Sequence, residues 1–132
     1  MKLHKNRNRY PVTLQLPILD ELRDILAASS VGRQTFLINE WGTPFASEKS
    51  FGNKMRDWCD QAGLPHCTAH GLRKSGATIA AEEGATPHEL KAMFGWMTLK
   101  QAETYTKMAE QKQLAVKGLQ RLSGQKALKA RT

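Results

Sequence analysis

Residues 68–105 read TAHGLRKSGATIAAEEGATPHELKAMFGWMTLKQAETY, and the start and stop signals in this stretch decide the fold class. Thr68 is placed to cap a helix that runs through Ala81 and ends at Gly84. Thr86, Pro87 and Glu89 form a capping box with proline at the first helical position, so a new helix begins there and stops at Gly95. Thr98 starts another that runs through Tyr105. Nothing here alternates with period two, so this half of the chain is predicted to be wholly helical.

Working outward, helix remains the dominant signal. Ser47 caps a predicted helix to about residue 62, stopped by Gly63 and Pro65. Residues 18–28 (ILDELRDILAA) place Ile18, Leu19, Leu22, Ile25 and Leu26 on one helical face. Two short stretches read as strand: RYPVTLQL at 9–16, closed by Pro17 and entered by a basic turn at 5–9, and TFLIN at 35–39, ended by Trp41, Gly42, Thr43 and Pro44. After Tyr105, Met108, Leu114, Ala115, Leu119 and Leu122 recur at roughly helical spacing before a lysine-rich end. A single strand at the start needs partners, and with none before it the chain is expected to be a fragment beginning at Met1.

The 132 residues carry a formal charge of +8, unevenly spread. Residues 1–9 sum to +4 and residues 107–132 to +6, while residues 10–106 sum to −2. Basic ends of this kind pair with nucleic-acid phosphates through counterion release, or are solvated tails, and composition does not separate the two. No run of 18 apolar residues exists, and the start is too basic and polar for a signal peptide. Cys59 and Cys67 are too few for a disulfide framework, which suits a reducing cytosol. No pattern of Cys, His and acidic residues has metal-ligand spacing, so a zinc module is not expected.

The residues that carry chemistry are His70, Arg73, Trp96 and Tyr105. His70 and Arg73 are three apart and share a helical face. Trp96 follows the Gly95 stop, and Tyr105 lies nine residues further on. Singly each has an ordinary explanation: a surface histidine, a solvated arginine, a core tryptophan, a packing tyrosine. Four fixed residues at these intervals arise by chance in roughly one chain of this length in ten thousand.

His70-Gly71-Leu72-Arg73, then Gly95-Trp96 with the tryptophan 23 residues after Arg73, then Tyr105 nine further on, resemble the tyrosine recombinase (phage integrase) family. The resemblance covers the back two-thirds of that family's catalytic domain. It implies a mainly α (α+β) fold with a small antiparallel β-sheet near the N-terminus, truncated at its start. Residues 1–17 would be the basic turn and strand, 18–106 the catalytic helices and 107–132 a basic C-terminal tail. It implies site-specific DNA integration and excision by metal-independent breaking and rejoining, with no cofactor, through a 3′-phosphotyrosyl intermediate. The partner would be double-stranded DNA, the working form a homotetramer on paired DNA sites, and the location a prokaryotic cytoplasm at the nucleoid. The tail would dock on a neighbouring subunit or pack on its own domain.

The residue types suit that chemistry. A phenol such as that of Tyr105 can attack phosphorus and keep the bond energy as a phosphotyrosine ester. The planar fork of Arg73 fits non-bridging phosphate oxygens better than lysine would. His70 can donate to phosphate or exchange a proton, whereas Trp96 can only donate through its indole N–H. A lysine on a hairpin serves the family as general acid; Lys5 is the first candidate and Lys2 the second, the other reading of Lys5 being an exposed turn lysine. The family's second arginine, in a helix ahead of the hairpin, has no match in these residues. The isolated chain is therefore expected to be impaired, since losing one such donor costs about 3 kcal/mol in the barrier. A non-catalytic DNA-binding remnant and an unrelated basic helical nucleic-acid-binding module are the alternatives. His66 reads as a loop residue, His88 as solvent-facing and Cys59 as a small core residue; Lys74 is either a phosphate contact or solvated.

Overall fold

A computed structural model describes residues 12–124. It contains five helices: α1 (Asp20–Ala28), α2 (Glu48–Gln61), α3 (Ala69–Glu82), α4 (Pro87–Phe94) and α5 (Leu99–Ser123). The described residues divide into two units, one formed by Gln15–Arg73 and the other by residues 74–124 with residues 12–14. None of the described helices is long and apolar enough to cross a membrane.

In the first unit the predicted Ser47 cap forms. The Ser50 N–H donates to Ser47 Oγ at 3.1 Å and the Ser47 N–H to Ser50 Oγ at 3.2 Å, so two N–H groups that the helix leaves without internal partners are satisfied. Phe45 packs edge-on against Phe51 and Trp58, with ring centroids 5.4 and 6.5 Å apart. Cys59 on α2 is buried, as its reading as a small core residue requires. Helix α1 starts at Asp20, two residues later than its apolar pattern suggested, and buries none of its side chains fully.

Neither predicted strand is present among the described residues. Over 35–39 the backbone makes a local turn instead. Asn39 Oδ1 accepts from the N–H groups of Trp41 and Thr43, both at 3.0 Å, and Thr35 Oγ1 donates to the Leu37 carbonyl at 2.6 Å. These side-chain bonds supply locally what a strand would need a partner edge to supply. Over 12–16 only Thr13 holds an isolated bridge position. The rest of the expected strand at 9–16, and Lys5 and Lys2 with it, lies outside the described residues.

The second unit is built around one side chain. Leu90 of α4 is fully buried against Ala81 of α3 and Ala102 and Ala109 of α5, with Ala80, Ala85, Phe94, Trp96 and Tyr105 packed around them. Alanines at these positions let the helix backbones approach closely enough for one leucine to fill the space between them. The Thr86–Glu89 capping box forms, with bonds of 2.9 and 3.2 Å. Helix α5 is a single helix of 25 residues that runs through Tyr105 and on over the residues whose spacing is roughly helical. Its later apolar side chains, Leu114, Leu119 and Leu122, are exposed.

Candidate active site

The first motif pair lies on α3. Thr68 caps that helix by accepting from the Gly71 N–H at 2.9 Å, which fixes where its first turn begins. His70 and Arg73 then stand three residues apart, one turn, on the same side of the helix. His70 is exposed and Arg73 half-buried. His70 also lines an open groove of about 360 Å³ between α2 and the start of α3, with Lys49, Gly52, Asn53, Arg56 and Cys67.

The second pair is held by the end of α4. Gly95 closes that helix in the left-handed region at φ 65°, ψ 34°, a conformation that costs a residue with a Cβ but not glycine. The Trp96 N–H then donates back to the Lys91 carbonyl at 3.2 Å. This pins Trp96 to the helix end, where its ring stacks on Phe94 (centroids 5.1 Å, interplanar 18°) and on Tyr105 (5.5 Å, 4°). Three rings thus form one near-parallel pile with tryptophan at its centre. Offset stacking of this kind is worth about 0.5–1.5 kcal/mol per pair beyond buried area. Tyr105 is half-buried and also lines a cavity of about 270 Å³ with Thr78, Glu82, Met108 and Lys112. Beside it, Lys112 of α5 meets Glu82 of α3 at 3.1 Å.

The structure therefore brings Trp96 and Tyr105 into ring contact and sets His70 and Arg73 one turn apart on α3. The two pairs fall in different units. His88 faces solvent as expected, and His66 and Lys74 are exposed as well. The stacking role of Phe94 was not apparent in the sequence, where it reads only as the apolar residue before a helix stop. The Lys49, Asn53 and Arg56 face of α2 was legible in principle, since spacing of four and three residues places all three on one side of a helix.

The phage integrase family model matches residues 2–112, a span that includes all four motif residues. The chain belongs to the phage integrase family. As a member it is 28% identical over 113 residues to the integrase of Mycobacterium phage L5, covering 83% of this chain and 30% of that protein. It is also 28% identical over 102 residues to the integrase of Mycobacterium phage D29, covering 75% and 27%. This integrase-family chain thus spans under a third of the length of the curated relatives it matches. No solved structure matches it.

Proposed function

We propose that the chain carries catalytic residues of a site-specific tyrosine recombinase acting on double-stranded DNA. The observation that carries this reading is the ring contact between Trp96 and Tyr105, two residues of the motif, inside the span matched by the phage integrase family. The Tyr105 hydroxyl oxygen gives up its proton to the His70 imidazole, attacks the scissile phosphorus and forms a 3′-phosphotyrosyl ester. The bond from phosphorus to the bridging 5′ oxygen breaks, and the leaving oxygen takes up a proton, with Lys5 as the assigned donor. Arg73 and His70 donate to the non-bridging oxygens, and the Trp96 indole N–H adds a donor to the same phosphate. An incoming 5′-hydroxyl reverses the step and rejoins the strand, so no external energy source is consumed. The working assembly is a homotetramer on paired DNA sites in a prokaryotic cytoplasm, and the exposed Leu114, Leu119 and Leu122 of α5 supply apolar surface for it. The 132-residue polypeptide by itself is expected to cleave weakly, because no residue in it matches the family's second arginine.

The test uses a duplex library of randomised sequence in which the bridging 5′ oxygen of one linkage is replaced by sulfur. Cleavage then releases a thiol that rejoins poorly, so even slow attack accumulates as a covalent adduct. A DNA adduct mapped by mass spectrometry to Tyr105, and absent in Tyr105→Phe, supports the reading. DNA binding with no adduct would leave a non-catalytic DNA-binding remnant. Absence of both would remove DNA as the substrate.

A further inference from the structure

The groove between α2 and the start of α3 is the feature that the proposed chemistry does not use. Its α2 wall is formed by Lys49, Gly52, Asn53 and Arg56, residues spaced so that they stack along one side of that helix. Both cations are exposed, and neither is in an ion pair among the described residues. No acidic side chain lines the groove; Asp60, a turn further along the same face, lies beyond it. On another side of α2 the charge is already matched, with Lys54 donating to Glu40 at 3.2 Å. The helix thus segregates its unmatched positive charge onto the groove wall. At Gly52 an added Cβ would meet nothing within 4 Å, so the middle of that wall is open rather than filled by packing.

We propose that this groove holds the DNA backbone beside the phosphate that is cleaved, with Lys49 and Arg56 pairing different phosphates of one strand and the Asn53 amide adding a hydrogen bond between them. The inference rests on the reading of the chain as a DNA recombinase and names a part of its substrate surface. Lys49 and Arg56 are seven residues apart, about 10 Å along the helix, while phosphates of one strand rise about 3.4 Å per nucleotide along the duplex axis. Cations spread over that length suit a ligand with repeated charges better than a single small anion, which needs converging donors. His70 lines the same groove, so a strand held along α2 runs beside a residue of the motif. These contacts go to phosphate, so they position the DNA and carry no sequence information.

The test is equilibrium binding of the full 132-residue chain to a short labelled duplex of mixed sequence, over a range of salt concentrations. Each lost phosphate contact lowers the salt slope by about 0.9, so Lys49→Gln with Arg56→Gln should lower it by about 1.8. At 0.1 M salt the same loss weakens binding about 60-fold, for all sequences alike. Arg33→Gln with Lys117→Gln removes equal charge elsewhere and should change the slope by much less. An equal fall in both double variants would mean that only net charge matters, and would overturn the proposal. The native chain supplies an independent readout that no misfolded variant can confuse. Cys67 lines the groove and Cys59 is buried, so saturating duplex should slow maleimide alkylation of Cys67 at least several-fold. Alkylation unaffected by bound duplex would overturn the groove assignment while leaving the recombinase reading intact. A chain that binds no duplex at all would overturn both, and the covalent-adduct assay would then fail independently.

Discussion

Leu90→Ala removes the side chain on which α3, α4 and α5 converge. Leu90 is fully buried, and the other buried residues of its cluster are Ala81, Ala102 and Ala109. Losing three carbons at about 0.8 kcal/mol each gives a transfer loss of about 2.4 kcal/mol. The cavity term comes on top and depends on whether the site can collapse. Alanines have no side chain to swing into the space, and the helix backbones behind them are already close, so collapse is poor. We therefore expect a loss of about 3.5–4.5 kcal/mol, toward the upper end for leucine truncations. Against the 5–15 kcal/mol typical of a folded domain, that is a quarter or more of the total. The assay is urea unfolding followed by helical circular dichroism, with Leu90→Met as the volume-conserving control at under about 1.5 kcal/mol. Because Phe94, Trp96 and Tyr105 pack on the same cluster, the near-ultraviolet signal of the stacked rings should fall before the helical signal does. A loss below about 1 kcal/mol, with an unchanged denaturant slope, would refute the placement of Leu90 at this junction.

Thr86→Ala removes the side-chain acceptor of the capping box that starts α4, leaving the residue 86 N–H bond to Glu89 in place, and should lower stability by about 1 kcal/mol in the same urea assay. Gly95→Ala places a Cβ at φ 65° and should cost about 1–2 kcal/mol, with a loss of the near-ultraviolet ring signal as Trp96 is displaced from the end of α4. Arg73→Lys keeps the charge but removes the planar fork. Adduct formation on the sulfur-bridged duplex should fall about 10²-fold or more, while duplex affinity changes less than about threefold.

The parts of the fold that were legible in the sequence are those settled by bonds between near neighbours. Ser47, Thr68 and Thr86 each accept a backbone N–H three residues on, which is why their helices begin where the residue types say they should. Gly63, Gly84 and Gly95 end α2, α3 and α4 with positive φ, and each is followed by a residue whose N–H reaches back five positions. The stretch at 35–39 reads as strand but forms a turn, because strand propensity describes a half-buried pleated surface and no strand among the described residues offers it an edge. The later part of α5 shows in the sequence only as rough helical spacing because its apolar residues are not packed: Leu114 and Leu119 stay exposed, so they follow no single buried face. The Phe94 stack could not be read at all, since nothing local to Phe94 specifies which rings will lie against it.

The intervals of the motif follow from these same local devices. After Arg73, the remainder of α3, a tight turn, the eight residues of α4 and the Gly95 closure set the distance in sequence to Trp96. Each of these lengths is held by a cap or a left-handed glycine, so a residue gained or lost would have to break one of them. The nine residues from Trp96 to Tyr105 are constrained more tightly. Tyr105 stands three residues after Ala102 and four before Ala109, on the stripe of α5 that faces the buried cluster. One residue more between Ala102 and Tyr105 would turn the phenol about 100° around the helix, away from that stripe and from the Trp96 ring. The spacing that marks the family in sequence is in this unit a statement about helix phase: the tryptophan is fixed by the end of one helix, and the tyrosine returns to it because it shares the core-facing side of the next.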